Sequence, residues 1–183
     1  AIHGRSMSSI WVWERSHDST SPIYNSVLAR PDIVAETGKR SLDLAALGSE
    51  IAAVGQLNYD VALWYSKPSR LYDAGFSKRM MNTYKALLSI GKKPGIVSDK
   101  SIGKLNNYKV LIIPGAQYCT KDALAAVNDF IGKGGKVIYS DGAFSRDEYK
   151  KALSNFNIVS NGYLYSPSGK VSDIAKTLLD YLN

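Results

Sequence analysis

Nucleophilic catalysis needs a thiol or hydroxyl beside a base, and this sequence offers few candidates for such a couple. Cys119 is the only cysteine, and the two histidines, His3 and His17, both lie near the N-terminus. A lone cysteine forms no internal disulfide and no cysteine-based metal site. A catalytic thiol belongs on a tight turn between a strand and a helix, exposed beside backbone N–H donors. The apolar run at 136–140 should feed that turn, yet Asp141-Gly142-Ala143-Phe144 follows it. Cys119 comes one strand earlier, after Pro114-Gly115-Ala116, and reads as a buried thiol. No histidine follows His17, so neither Ser140 nor Asp141 has a histidine base in the C-terminal part. Glu14 stands at the end of a strand-like run, where a carboxylate can act as acid or base. Pairing with Arg15 or Arg30 is the plainer reading. His17 and Asp18 read as solvent-facing. The expectation is no catalytic residue, no metal and no cofactor.

Phosphate binding fares no better. Gly132-Lys133-Gly134-Gly135 ends a helix and precedes a strand, the reverse of the order a phosphate loop needs. The net charge of +7 invites a nucleic-acid reading. That reading needs cations gathered on one face with stacking aromatics between them, whereas Lys and Arg here are spread along the chain in groups no denser than Lys92-Lys93 and Lys150-Lys151. Hydrophobic residues make up 45% and charged residues 21%, the balance of an ordinary globular chain. No apolar run approaches the roughly 18–20 residues that span a bilayer. Neither nucleic acid nor membrane is expected as a partner. Scarcity of cysteine fits the cytoplasm or a disulfide-free secreted protein, so the compartment stays unassigned. The start, Ala1-Ile2-His3-Gly4-Arg5-Ser6, lacks Met and the pattern of a signal peptide. The expectation is a piece of a longer protein.

The elements that would position these groups fall into two stretches. Residues 7–13, with Ile10, Trp11, Val12 and Trp13, read as a strand, and 14–30 as a polar loop. Pro31 and Asp32 open a helix over 32–54, striped by Ile33, Leu44, Leu47, Ile51 and Val54 and stopped by Gly55. From 58 onward strands and helices alternate. Strands are expected at 59–65, 94–98, 109–113 and 136–140, and helices at 76–90, 121–131 and 171–182. Thr120 caps the second of these helices and Gly134-Gly135 ends it. Residues 145–155 read as helical, and 156–160 and 163–165 as extended.

Such alternation predicts an α/β three-layer sandwich, flavodoxin-like, with a mainly parallel five-stranded sheet. The order 2-1-3-4-5 leaves a crevice where the winding reverses, between the loops at 66–75 and 114–120. Ser66, Arg70, Gln117 and Tyr118 are the candidate contacts there. The division is 1–57 for the strand-loop-helix segment and 58–183 for the α/β domain.

Several stretches resemble family 42 glycoside hydrolases, the β-galactosidase group. His3-Gly4, Trp11-Val12-Trp13, Arg30-Pro31-Asp32 and Leu42-Asp43-Leu44 are similar to the last βα unit of that family's (β/α)8 barrel. Ala62-Leu63-Trp64-Tyr65-Ser66-Lys67-Pro68-Ser69, Tyr108 to Ala116 and Phe130 to Val137 are similar to the domain that follows the barrel. The resemblance covers roughly 3–142. It implies a class I glutamine-amidotransferase-like domain that builds a trimer. It also implies that the two catalytic glutamates, about 5–5.5 Å apart in a retaining enzyme, belong to earlier barrel strands and match no residue here. Trp11 or Trp13 would then wall a sugar subsite or pack in the barrel. The reading is a non-catalytic, self-associating domain of a β-galactosidase-like hydrolase, meeting carbohydrate through the parent barrel. The alternative is a stand-alone domain that binds a small ligand at the crevice.

Overall fold

The computed structural model describes residues 30–55, 59–140, 142–153 and 162–182. The chain divides into two compact units, Ala1–Asn58 and Tyr59–Asn183. The strand expected at 7–13, Trp11, Trp13, Glu14, His17 and the segment at 156–160 lie outside the described residues.

In the first unit, α1 (Pro31–Ala46) and α2 (Gly48–Gly55) replace the single helix expected over 32–54. Pro31 stands in the first turn with Asp32, where a missing N–H costs nothing and a carboxylate complements the helix dipole. The chain leaves helical geometry at Leu47, φ −96° and ψ 15°, just before Gly48, and glycine is the weakest helix former after proline. Hydrogen bonds carry across the break, from Leu47 N to Asp43 O at 3.1 Å and from Ile51 N to Leu47 O at 3.0 Å. No residue of α1 is buried.

The second unit runs β1 (Val61–Tyr65), α3 (Lys67–Tyr72), α4 (Phe76–Ser89), β2 (Gly95–Ser98), a 3-10 segment (Asp99–Asn107), β3 (Val110–Ile113), β4 (Tyr118–Cys119), α5 (Lys121–Gly132), β5 (Lys136–Tyr139), β6 (Arg146–Asp147), β7 (Gly162–Leu164) and α6 (Val171–Leu182). Five strands form one sheet in the order β2-β1-β3-β5-β7, and every pairing in it is parallel. This is the 2-1-3-4-5 winding read from the alternation of elements.

Strand periodicity divides the core into two layers. Val61, Leu63, Ile112 and Ile138 face one way, against Ala86 and Leu87 of α4 and Ile174 and Leu178 of α6. Ala62, Trp64, Leu111, Ile113 and Val137 face the other, against Leu105, Val127 and Phe130. Both faces of β1 and β3 are therefore covered, which is why their sequences are runs of apolar residues with no alternation. Full burial of a Leu or Ile contributes about 1.5–3 kcal/mol, and Leu111, Ile112 and Ile113 are all completely enclosed. Thr120 Oγ1 accepts from Ala123 N at 3.2 Å and so caps α5. Gly134, at φ +88°, closes that helix, with Gly135 N donating back to Phe130 O at 2.9 Å.

Two expectations fail. The described part of the helix expected at 145–155, residues 145–153, is not helical. Arg146–Asp147 pairs in parallel with Tyr118–Cys119, and the chain then turns sharply. Asp147, 5% exposed, accepts at Oδ1 from Tyr149 N at 2.9 Å and Lys151 N at 2.8 Å. Its carboxylate thus meets the N–H groups that a helix would have claimed. Nor is 66–75 a loop, since α3 occupies most of it. Ser66 Oγ accepts from Ser69 N at 3.0 Å as the cap, and Pro68 lies in the first turn.

Candidate functional site

At the crevice expected between the stretches 66–75 and 114–120, two of the candidate contacts, Ser66 and Tyr118, bond each other. Ser66 Oγ donates to Tyr118 O at 2.6 Å, and Ser69 Oγ donates to the same carbonyl at 3.1 Å. Tyr118 N donates in return to Ser69 Oγ at 2.9 Å. Both serines are fully buried. Arg70 is exposed on α3. This seam leaves clefts on either side of it, both at the C-terminal ends of the strands.

The first cleft, about 610 Å³, takes Gln117 from the loop after β3, Ser140 from the end of β5, Ser166 from the segment after β7, Asp73 from the end of α3 and Arg79 from the first turn of α4. Gln117 is the one residue of the four sequence candidates that lines it. Arg79 is held firmly. It forms an ion pair with Asp73 and donates to Gly115 O at 3.2 Å. Asp73 Oδ1 also accepts from Gly75 N at 2.9 Å. Gly115 has φ +67°, and a Cβ there would stand 2.3 Å from Arg79 Nε. Only glycine both adopts that backbone and lets the guanidinium pass.

Behind Arg79, Thr83 Oγ1 donates to Arg79 O at 3.0 Å and lies 3.0 Å from Tyr165 Oη. The threonine proton is committed to the carbonyl, so Tyr165 is the donor of the second bond. Burial pushes the Tyr165 hydroxyl well above the usual tyrosine range. It is a structural donor.

Ser140 is different. It is 4% exposed, and its Oγ, sealed from solvent, has no hydrogen-bond partner among the described residues. The backbone after it is bent at Gly142, φ +72°, and at Phe144, φ +53°. Phe144 N bonds Ala116 O at 2.9 Å, and the Phe144 ring meets Trp64 edge-on at 5.6 Å.

The second cleft, about 520 Å³, is more apolar, with Tyr65, Pro68, Leu71 and Tyr72 beside Asp99 and Glu148. Leu71 and Tyr72 are 70% and 47% exposed, and Tyr149 nearby in sequence to Glu148 is 76% exposed. Lys150 Nζ lies 4.5 Å over the Tyr72 ring, and Tyr72 meets Tyr118 edge-on at 5.3 Å.

Cys119 is 1% exposed, as read from sequence. Burial pushes its thiol up to about 12, and the carboxylates of Asp99, Glu148 and Asp147 add to the shift. A thiolate is the reactive form, and the burial and the nearby carboxylates both disfavour it. Among the described residues no cluster of His, Cys, Asp and Glu could hold a metal ion, and no helix there is long and apolar enough to cross a membrane. Asp73 and Arg79 escaped the sequence reading because their pairing is made by the fold. The glycines at 75 and 115, both crowded by the Arg79 guanidinium, were the available signal.

No protein-family model matches the chain, and no curated protein matches its sequence. Solved structures do match in fold. An exo-carrageenase GH42 from Bacteroides ovatus superposes with a TM-score of 0.66 at 19% identity, over 82% of this chain and 21% of that one. A catalytic mutant of a GH42 β-galactosidase from G. stearothermophilus gives 0.61 at 17% identity, over 78% and 22%. The β-galactosidase from Rahnella sp. R3 gives 0.52 at 17% identity, over 64% and 19%. The chain thus spans about a fifth of the length of these proteins. In fold it resembles a part of the GH42 glycoside hydrolases, an α/β three-layer unit with a parallel five-stranded sheet.

Proposed function

We propose that this chain is part of a GH42-type glycoside hydrolase and that its α/β unit serves assembly, not bond cleavage. The observation that carries the reading is the exposed apolar surface at the second cleft, where Leu71 and Tyr72 stand in solvent and the turn that bears the exposed Tyr149 approaches through Lys150 over the Tyr72 ring. Aromatic and aliphatic side chains gathered at one edge are the composition of an interface core. The burial of Cys119 favours the same reading, since an amidotransferase-type nucleophile needs an exposed thiol in an electropositive setting. The partner proposed is a second copy of the chain, and closed symmetry, a trimer by the family resemblance, would satisfy the edge on every copy.

Sedimentation velocity on the chain, alone and as Leu71→Asp and Tyr149→Asp variants, tests this. The expected result is a concentration-dependent oligomer in the wild type and a folded monomer in both variants. A wild type that stays monomeric at every concentration overturns the proposal. So does turnover of a nitrophenyl galactoside that is abolished by Glu14→Gln, because catalysis would then reside in this chain.

A further inference from the structure

The longer helices of the α/β unit carry their charges differently. α5 exposes Lys121, Asp122 and Asp129, and α6 exposes Asp173, Lys176 and Asp180, the usual mixture of signs on a solvated surface. α4 exposes Lys78 and Lys85 and holds no carboxylate, and none occurs in the sequence from Ala74 through Ser98. Of the five cations in that stretch, Arg79 pairs with Asp73, and Lys93 lies over the Tyr59 ring at 4.8 Å. Lys78, Lys85 and Lys92 have no ion-pair partner among the described residues, although α6 packs beside α4. Residues 59–183 carry 18 of the 23 Lys and Arg and 10 of the 16 Asp and Glu, so the excess survives the inclusion of every carboxylate in the unit.

The outward side of α4 also has a pattern. Lys78, Met81, Lys85 and Leu88 follow one another at three and four residues, the spacing of neighbours along a helix face. Lys78 and Lys85 are thus two turns apart, about 10.5 Å. Met81 between them is 51% exposed and Leu88 half-buried. Phe76, Thr83 and Leu87, on the other side, are buried in the core.

We propose that this row docks an amphipathic acidic helix of a partner protein, with carboxylates seven residues apart opposite Lys78 and Lys85 and apolar side chains against Met81 and Leu88. Three other occupants fit less well. A membrane-surface helix sinks a broad apolar face, and that of α4 is enclosed in the core. Single-stranded nucleic acid stacks its bases on aromatics, and the row has none. A second copy presenting the same row would bring like charges together. The row shares no residue with the surface around Leu71 and Tyr72, so this inference and self-association stand or fall separately.

Fluorescence anisotropy on the full chain tests it with two labelled peptides of equal composition. One is helical, with Glu at every seventh position and Leu three residues after each; the other is its scrambled counterpart. The ordered peptide should bind saturably, weaken as salt is raised, and exceed the scrambled one at least about tenfold. Lys78→Gln and Lys85→Gln should each weaken binding about threefold, the worth of an exposed ion pair. Lys104→Gln and Lys121→Gln, on the opposite layer of the sheet, should leave it unchanged. Equal binding of the two peptides overturns the proposal, as do equal losses from all four substitutions, which would reduce it to net charge. Binding of phosphatidylserine vesicles or single-stranded DNA that depends on Lys78 and Lys85, with no binding of the ordered peptide, overturns it as well.

Discussion

Ser69 and Tyr118 hold each other through hydrogen bonds in both directions. The serine hydroxyl accepts from Tyr118 N at 2.9 Å and donates to Tyr118 O at 3.1 Å. One buried side chain thereby satisfies a backbone donor and acceptor far away in sequence and stitches α3 to β4. Ser69→Ala leaves Tyr118 N without its partner in a buried setting and should destabilise the chain by about 2 kcal/mol. Ser89→Ala, which removes a local bond to Ala86 O, should cost about 0.5 kcal/mol or less. Urea unfolding of the two variants side by side measures the difference. Equal losses would mean that the seam carries no special weight.

The two glycines Gly115 and Gly132 should respond to alanine with opposite signs. Gly115 combines φ +67° with a Cβ position that overlaps Arg79, so Gly115→Ala is strained twice and should cost about 2 kcal/mol or more. Gly132 is the last helical residue of α5, with nothing within 4 Å of an added Cβ. Alanine there reduces the freedom of the unfolded chain and should stabilise by about 0.4–1 kcal/mol. Thermal melts decide both signs.

Asp147 should tolerate asparagine and reject alanine. Its Oδ1 accepts two backbone N–H groups in a turn that is 5% exposed at this residue. Asn keeps an acceptor oxygen in the same place, whereas Ala leaves both donors open, at about 1–3 kcal/mol. If Asp147→Asn were as damaging as Asp147→Ala, charge and not hydrogen-bond geometry would hold the turn.

Which features were legible in the sequence follows from whether they were local. The runs Ala62-Leu63-Trp64 and Leu111-Ile112-Ile113 announce doubly covered strands, and Thr120 and Gly134 mark the two ends of α5 within a few residues of chain. Residues 145–155 were misread because Asp147 turns the chain only after Arg146–Asp147 has paired with Tyr118–Cys119. The helix α3 carried its signal in Ser66 and Pro68 but is six residues long, too short for periodicity to show. In the candidate site, Gln117 was singled out by its place after β3. Arg79, on an otherwise ordinary amphipathic helix, resembled a surface charge because Asp73 and Gly115 approach it only in the fold.

Alkaline pH should destabilise the chain through two buried weak acids, Cys119 and Tyr165. Cys119 has an ordinary value of 9.0 and Tyr165 of 10.0, and burial raises both. In each case the folded state keeps the neutral form while the unfolded chain is free to ionise. Stability is therefore intact below the ordinary thiol range and falls as pH climbs above about 9, when the unfolded state begins to release its protons. The thiol's contribution is lost progressively until pH passes about 12. One such group adds at most about 1.4 kcal/mol of loss per pH unit. Cys119→Ala should cost some stability at pH 7, since it removes a buried sulfur, yet it should flatten the decline between pH 9 and 11. Tyr165→Phe should flatten it further from pH 10 upward, after an initial cost of about 1 kcal/mol for the bond to Thr83. Urea unfolding at a series of pH values, with the three proteins in parallel, measures the slopes. Parallel declines for wild type and Cys119→Ala would show that the thiol ionises in the folded chain as readily as in the unfolded one, contrary to its burial in the core.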